Sequence, residues 1–399
     1  DHRRQGAQQK LFFVSELSPG SPFFLPHGTR VLERLFNLAR REYFDGGYSE
    51  VVTPQLFKDT LWKTSGHLEN YQDDMYFVGK HEQGSSAATS TDTDGRPGNH
   101  ANHATTSSSL MGLKPMNCPG HCVLFDSVDV HSFRNLPVRY AELSPLHRAE
   151  SSGSLSGLFR VRRFHQDDAH VFCRVDQVKS EIASIVDSIR RVNRLFDLTP
   201  QFYLSTRPDQ YIGSPKIWKA AEAALAEVLD EAGVSWSVRE GDGAFYGPKI
   251  DVVVRDVLQR PHQTSTVQLD FNLPERFRLA YQSPEQTMER PVLIHRALFG
   301  SLERLMGILI EHYAQSGWPF WLSPRQVVVV PLHPPTHSAY AAQVLAQLRA
   351  IRGPLGPVHA RLDQSDRKLG KVVREAMAQR VNVVAIVGDH EMQNNVVTL

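Results

Sequence analysis

LIHRALFGSLER, residues 293–304, joins an apolar β-type segment to a helix that the spacing of apolar residues predicts from Leu302 to Tyr313. His295 lies at the strand side of this junction, and Arg304 lies among leucine and methionine on the helix. A guanidinium in apolar surroundings is costly unless it is paired or binds an anion. We therefore expect Arg304 to serve a ligand or a buried carboxylate.

The segments on both sides of this junction predict β-strands flanked by helices. Amphipathic spacing predicts helices at 28–44, opened by Thr29, at 177–196 and at 215–232. SEVVTP (49–54), IDVVV (250–254) and TVQLDF (266–271) are typical of strands. Runs of strands with flanking helices indicate an α+β domain with an antiparallel sheet.

From Trp318 onwards the predicted order of strands and helices changes. A proline-bounded linker is followed by VVVVPL, by helical segments at 338–350 and 366–379, and by VVAIVG. This alternation predicts a small α/β domain, so we divide the chain into 1–322 and 323–399. Residues 81–109 contain no aliphatic side chain larger than alanine, and we expect them to form a disordered insertion in the first domain.

Composition excludes several classes of protein. Forty-four Lys and Arg balance 43 Asp and Glu, so any contact with nucleic acid must come from local basic patches. No run approaches the roughly 18 to 20 apolar residues of a membrane helix. Three cysteines argue against a disulfide framework and for a reducing compartment. The sequence has neither a P-loop nor a dinucleotide-binding fingerprint, so phosphate must be held in another way.

KPMNCPGHC, residues 114–122, places Cys118, His121 and Cys122 close together. The Cys-x-x-x-Cys spacing differs from the redox-active Cys-x-x-Cys, and a single cysteine in an apolar segment is most often a small buried hydrophobe. A zinc site would need distant partners, and candidates are His170 in FHQDDAH and His295. On a strand, Asp168 and His170 would face the same side. Spacing alone leaves these alternatives open.

LHRAESSGSLSGLFRVRRF, residues 146–164, is typical of two strands joined by a mobile loop. Arg148 and Arg160 could converge on one anion, because guanidinium groups hold phosphate oxygens through paired hydrogen bonds. The alternative is a basic hairpin on the surface.

Taken together, these segments resemble a class II aminoacyl-tRNA synthetase, and within that class the threonyl-tRNA synthetase family. The resemblance runs from about Gln8 to the end of the chain, apart from 81–109. A helix and strand ending at Pro54, the Arg-x-Glu of Arg148 and Glu150, and the Gly-x-x-x-Arg of Gly300 and Arg304 match the three class motifs. KPMNCPGH, RVRRFHQDDAHVFC, DGAFYGPKID and LIHRALFGSLER resemble blocks peculiar to the threonine enzyme. SPGSPFFLPHGTR, FHQDD and HQTSTVQLDFNLPERF resemble the mitochondrial form of fungi.

The resemblance implies a role for each candidate residue. One zinc ion would be bound by Cys118, His170 and His295, with His121 and Cys122 as packing neighbours. The residues implied to bind ATP are Arg148 (α-phosphate), Glu150 (adenine amino group), Arg160 (terminal phosphates), Phe164 and Arg304 (the two adenine faces), Gln263 and Ser301. The threonine pocket would be lined by Gln166, Asp168, Tyr246 and Gln268, with Gln263 beside them. Arg148, Arg304 and Lys249, near the carboxylate, would be catalytic.

The implied activity is that of a threonine-tRNA ligase. The threonine carboxylate would attack the α-phosphate of ATP, with Mg²⁺ and the arginines stabilising charge, and the adenylate would pass threonine to tRNA(Thr). An apolar pocket separates a hydroxyl from a methyl group by only about 10²-fold. Zinc that takes the amino and hydroxyl groups of threonine, with Asp168 accepting the hydroxyl proton, would instead reject valine.

The C-terminal domain resembles the anticodon-binding domain of the family, and we expect it to be incomplete at its end. Residues expected to contact the anticodon are Arg367, Lys371, Arg374 and Glu391, although a run of charges is more often a solvated surface. The resemblance further implies a homodimer and a place in the mitochondrial matrix, or alternatively in the cytoplasm. The rival hypotheses are a paralogue without catalysis and a synthetase for proline or serine.

Overall fold

The computed structural model describes residues 1–79, 110–128, 131–365 and 367–399, and the insertion predicted at 81–109 lies outside the described residues. Its helices are α1 (His2–Gln8), α2 (Pro26–Asp45), α3 (Asp59–Ser65), α4 (His67–Tyr71), α5 (Cys118–Asp126), α6 (Val178–Leu195), α7 (Pro215–Glu231), α8 (Asn272–Arg276), α9 (Leu302–His312), α10 (Pro334–Ala350), α11 (Leu369–Ala378) and α12 (Asp389–Asn394).

The strands include many short pairs around a few long ones. They are β1 (Phe12–Phe13), β2 (Phe23–Phe24), β3 (Ser49–Glu50), β4 (Leu56–Lys58), β5 (Phe77–Val78), β6 (Met111–Leu113), β7 (His131–Ser132), β8 (Val138–Glu142), β9 (Pro145–His147), β10 (Arg163–Cys173), β11 (Gln201–Ser205), β12 (Trp236–Arg239), β13 (Lys249–Arg255), β14 (Pro261–Asp270), β15 (Tyr281–Gln282), β16 (Met288–Glu289), β17 (Val292–Ser301), β18 (Val327–Pro331), β19 (Arg352–Gly353), β20 (Gly356–Pro357), β21 (Ala360–Leu362) and β22 (Val383–Val387).

One large sheet organises the first domain. Its strand order is β12-β11-β13-β14-β17-β10-β8-β3, and β9 pairs with the start of β10. The inner pairs are antiparallel, whereas β11 with β12 and β3 with β8 are parallel. The predicted α+β class is therefore confirmed, but the sheet is mixed at both edges.

Alternation along the long strands gives the sheet two different faces. Residues Ala169, Val171 and Cys173 of β10 point into the main core, where the apolar stripe of α6 and much of α9 are also buried. The residues between them point to the opposite face, where His170 lines a cavity and Phe172 packs in a second, smaller apolar cluster. One face of the sheet thus carries the main core, and the other carries both a smaller core and the polar side chains of a cavity.

Two predicted elements begin or end elsewhere. The first long helix starts at Pro26, because proline suits the first turn, and the Thr29 hydroxyl donates to the Leu25 carbonyl instead of capping the helix. The strand predicted over SEVVTP pairs only at Ser49–Glu50. Beyond it the Thr53 N–H and hydroxyl donate to the Glu142 side-chain carboxylate of β8 instead of continuing the backbone ladder.

The C-terminal residues form the expected α/β layer. β18 lies between β21 and β22, all parallel, and α10, α11 and α12 pack nearby. The helices predicted at 338–350 and 366–379 are α10, which starts earlier, and α11, which is shorter. Buried Arg34 of α2 joins the two parts, because its Nη2 donates to Gln326 Oε1 at 3.0 Å and to the Pro357 carbonyl at 2.7 Å.

In the part of the chain that the structure describes, no helix combines the length and the apolar character needed to cross a bilayer.

The turn between β17 and α9 depends on glycine. Gly300 has φ +63°, and a Cβ there would lie 2.3 Å from the Thr264 carbonyl oxygen of β14. We expect Gly300→Ala to lower the free energy of unfolding by about 3 kcal/mol, from left-handed strain together with overpacking. Urea denaturation followed by fluorescence measures this change.

Gly317 provides the matched control. Its φ is +81°, and no described atom lies within 4 Å of the added Cβ. Gly317→Ala should lose only about 1 kcal/mol, the cost of the backbone conformation alone. Equal losses in the two variants would show that the contact with β14 does not matter.

Candidate active site

A cavity lies on the face of the sheet opposite the main core, over β14, β17 and β10. Every second residue of these strands lines it, as the pleat of a strand requires. From β10 come Phe164, Gln166, Asp168 and His170; from β14 come Thr264, Thr266 and Gln268; and from β17 come His295 and Ala297. Met116, Cys118 and Tyr246 close one end, and Arg148, Glu150, Phe159, Arg160, Gln263, Ser301 and Arg304 line the other.

Three side chains meet at the end of the cavity near α5. The donor atoms of Cys118, His170 and His295 all lie within 4.8 Å of one another. His170 and His295 are direct partners across β10 and β17, which brings His170 Nε2 to 2.9 Å from His295 Nδ1. Cys118 reaches them because it is the first residue of α5.

Neighbouring carboxylates orient both imidazole rings. The His295 Nε2–H donates to Asp270 Oδ2 at 2.9 Å, which leaves a lone pair on His295 Nδ1. Glu142 Oε2 accepts the Nε2–H of His121 at 3.1 Å, so His121 Nδ1 accepts from His170 Nδ1–H at 2.8 Å. His170 Nε2 therefore also presents a lone pair.

The cluster has the chemistry of a cation site. Two lone pairs 2.9 Å apart repel unless a proton or cation lies between them. Burial lowers the pKa of His170, which favours the neutral ring, and raises the pKa of the Cys118 thiol, so a thiolate here needs a cation beside it. One sulfur and two nitrogens, whose rings are oriented by hydrogen bonds to Asp270 and His121, fit Zn²⁺ with an open position.

His121 was expected only as a packing neighbour, and it does more than pack. It lies between His170 and Glu142, and Glu142 also accepts from Lys114 Nζ at 2.7 Å and from the Ser144 hydroxyl. The Lys114 and Glu142 side chains are both completely buried. The sequence carried a weak signal for this arrangement, since a lysine in a buried motif requires a carboxylate, but it did not identify which one.

Cationic side chains converge at the other end of the cavity. Arg304 Nε donates to the Phe159 carbonyl at 3.0 Å and Nη1 to the Gln263 carbonyl at 3.2 Å. Burial, followed by the charges of Arg148 and Arg160, lowers the pKa of Arg304. Arg148 lies 5.0 Å from the ring of Phe164, and its buried Nε has no hydrogen-bond partner among the described residues. This end is built to bind an anion.

Glu150 and the end of the cavity near the Cys118 cluster are also held in place. Arg160 Nε donates to Glu150 Oε2 at 2.8 Å, and the Tyr246 hydroxyl donates to Gln268 Oε1 at 3.1 Å. Lys249 is not among the described residues that line the cavity. Its ammonium instead lies 3.0 Å from Asp251 Oδ2.

The residues expected at the anticodon lie at different places in the second domain. Lys371 and Arg374 are exposed on α11. Arg367 pairs with Asp363 and Glu375. Glu391 accepts from the Gly388 N–H and the Thr398 hydroxyl, so its carboxylate is engaged within the domain.

Comparison with known families agrees with this geometry. Residues 105–313 match the tRNA synthetase class II core domain (G, H, P, S and T), and residues 326–399 match the anticodon binding domain. The chain is therefore built as a class II tRNA synthetase with an anticodon-binding domain.

Similarity to individual proteins narrows the class. The chain is 42% identical to the probable mitochondrial threonine–tRNA ligase of Schizosaccharomyces pombe, over 100% of this chain and 84% of that protein. It is 44% identical to the cytoplasmic threonine–tRNA ligase of Saccharomyces cerevisiae, over 100% of this chain and 50% of that one. A crystal structure of the RNA binding domain of threonyl-tRNA synthetase from Cryptosporidium parvum superimposes with a TM-score of 0.88 at 40% identity, covering 100% of this chain and 92% of that one. The chain belongs to the threonyl-tRNA synthetase family, and it spans about half the length of most curated relatives it matches.

The ionisation of buried Glu142 makes the stability of the fold around the site depend on pH. Burial would raise its pKa, but hydrogen bonds from His121, Lys114, Ser144 and Thr53 outweigh this effect and lower the pKa from 4.5 to about 2. A lowered carboxyl pKa stabilises the fold above pH 4.5, and this contribution is lost as the pH falls towards 2. We expect a loss of about 3 kcal/mol from this group alone.

Glu142→Gln tests this expectation, because glutamine does not titrate. The variant should be less stable than the parent at pH 6, and the difference should shrink as the pH falls to 3, measured by urea denaturation at each pH. Glu50→Gln removes an exposed carboxylate paired with Arg40, and it should change stability little at any pH. A constant difference between Glu142→Gln and the parent would contradict the role of ionised Glu142.

Proposed function

We propose that this chain is a threonine-tRNA ligase that activates threonine with ATP to threonyl-adenylate and transfers it to tRNA(Thr). The observation that carries the proposal is one cavity with two chemically different ends. Three arginines converge at one end, and a buried Cys-His-His cluster lies at the other. An anion site and a site for an amine and hydroxyl are what the activation of threonine requires.

The arginine end suits the ATP. Arg148, which has a free buried donor among the described residues, would hold the α-phosphate and the threonine carboxylate, and Arg160 the terminal phosphates. Adenine would lie between Phe164 and Arg304, with Glu150 accepting from its amino group. Mg²⁺ bound with ATP would share the charge of the leaving diphosphate. These groups stabilise the charge that develops during in-line attack, and no protein nucleophile is needed.

The cluster end suits the threonine side chain. Zinc held by Cys118, His170 and His295 would supply a Lewis acid that recognises the amino and hydroxyl groups together. Asp168 Oδ2 accepts from Asn117 Nδ2 at 3.1 Å, which orients this carboxylate to accept the threonine hydroxyl proton. Valine offers no such proton, and Gln166, Tyr246 and Gln268 would line the remainder of the pocket. Lys249 would act near the carboxylate only after leaving Asp251.

The remaining proposals concern domains, assembly and location. We divide the chain into a catalytic domain, 1–322, and an anticodon-binding domain, 323–399, in which exposed Lys371 and Arg374 are the best placed of the expected RNA contacts.

Exposed Phe44 and Val52, at the end of α2 and beyond β3, support a homodimer through this region, which sizing chromatography tests. We favour the mitochondrial matrix over the cytoplasm, and imaging of a tagged full-length protein decides between them.

Cys118→Ala tests the proposal directly. It removes one of three ligands, so we expect loss of bound zinc and of threonine-dependent ATP–diphosphate exchange. Metal content by mass spectrometry and exchange with threonine, serine and proline are measured on one sample. Loss of exchange by at least about 10²-fold is expected, because the substrate loses its main recognition element.

Cys122→Ala is the matched control. Cys122 is buried on the same helix, but it is not part of the donor cluster. This variant should keep zinc and activity. Full zinc and full activity in Cys118→Ala would refute the metal site, whereas exchange with proline in the parent would refute the threonine assignment.

A further inference from the structure

His2 of α1 connects the N-terminal helix to the loop between β9 and β10. It is buried, and its Nε2 accepts the N–H of Leu158 at 3.0 Å. Its Nδ1–H donates to Glu311 Oε1 at 3.0 Å, and its backbone N–H donates to the same oxygen at 2.8 Å. Burial lowers the pKa of His2 against the opposing effect of Glu311, which agrees with a neutral ring that accepts at Nε2.

The ring of His2 packs closely against the loop at Gly157 and Phe159. Gly157 has φ +52°, and a Cβ there would lie 2.2 Å from His2 Nε2, so only glycine allows the loop to approach the ring edge. The ring of His2 also packs against Phe159, with centroids 4.0 Å apart. His2 therefore restrains three consecutive residues of the loop.

Two buried carboxylates, joined by the partly exposed Arg260, extend this restraint to β14. Glu311 Oε2 accepts from Arg260 Nη2 at 2.7 Å, and Asp256 Oδ2 accepts from Arg260 Nε at 2.6 Å and from His262 Nε2 at 2.8 Å. Phe159 lies between the rings of His2 and His262, which are 4.0 Å and 4.5 Å away. The loop and the start of β14 are thus tied to the same set of charges.

Arg304 is held by the two segments that these contacts restrain. The Phe159 and Gln263 carbonyls accept from Arg304, and these residues directly follow Leu158 and His262. Arg160 follows Phe159 and also lines the cavity. The direction of the Arg304 guanidinium therefore depends on where Phe159 is fixed, and the backbone position of Arg160, whose guanidinium pairs with Glu150, depends on the same residue.

We propose that His2 is a positioning residue for the nucleotide end of the active site, acting through Leu158 and Phe159 on Arg304 and Arg160. The inference rests on the proposed function, in which these arginines bind ATP. Without the Nε2 acceptor, the buried Leu158 N–H has no partner among the described residues, and the loop must shift to reach water. A shift of about 1 Å is enough to weaken a bidentate phosphate contact.

The test compares His2→Ala and His2→Gln with the parent. In His2→Ala we expect the KM for ATP to rise about tenfold, as for the loss of one buried hydrogen bond, with zinc content and the KM for threonine unchanged. The carboxamide oxygen of His2→Gln can take the place of Nε2, and this variant should recover a large part of the ATP affinity. Arg4→Ala, an exposed neighbour on α1, is the matched control and should match the parent.

Direct ATP binding, measured by calorimetry on the same samples without threonine, separates the two proposals. A parent that binds ATP but shows no threonine-dependent exchange would refute the proposed function, while the ATP affinities would still report on His2. If His2→Ala does not fold, His2→Phe takes its place, because phenylalanine keeps a ring but cannot accept from the Leu158 N–H. ATP affinity in His2→Ala or His2→Phe equal to that of Arg4→Ala, or ATP and threonine KM values raised equally, would overturn the positioning role.

Discussion

The register of β10 against β17 is the constraint on which the rest of the structure depends. His170 faces His295 directly, and Asp168 faces Ala297, so every second residue of β10 points into the cavity. A slip by one residue would turn Ala169 and Val171 into the cavity and bury the ligating side chains against α6 and α9. The hydrophobic core between the sheet and helices α6 and α9 excludes that alternative, because it buries Ala169, Val171 and Ile294 completely. Packing on one face of the sheet therefore determines the chemistry on the other.

Charges buried around the site hold its geometry at a cost in desolvation. Lys114 with Glu142, and Arg296 with Asp167, are ion pairs with almost no exposure. Each carboxylate also accepts further hydrogen bonds. Glu142 accepts from His121, Ser144 and Thr53, and Asp167 accepts from the N–H groups of Leu298 and Phe299. Replacing a whole pair of this kind by apolar side chains can cost little stability, but removing one partner is costly because it leaves a buried charge uncompensated, so each pair holds its neighbours in one arrangement.

The two ends of the cavity, which are lined by the same strands, favour ligands of opposite charge. At one end, Asp270 and, through His121, Glu142 orient the rings of His295 and His170 so that their lone pairs meet where a cation fits. At the other end, the positive charges of neighbouring arginines repel one another, and a bound anion would relieve this repulsion. The distance between the ends is set by the rise of a few residues along β10, from Phe164 to His170. A substrate that carries an amine, a hydroxyl and a carboxylate beside ATP would bridge both ends.

The sequence by itself determined those features that depend on local patterns. The stripe of α6, the alternation of Gln166, Asp168 and His170, and the change to an α/β pattern after Trp318 follow from residue spacing, and the long helices and central strands of the fold were predictable for that reason. Residue types alone raised Cys118, His170, His295 and the arginines as candidates, but only the family resemblance assigned them to one site, since nothing local brings Cys118 to His295. Only the tertiary structure decided that His121 supports His170, that Lys249 pairs with Asp251, and that His2 reaches Leu158. These contacts join distant parts of the chain or select among equivalent local partners, and their free energies depend on a burial that exists only once the sheet and its helices have packed.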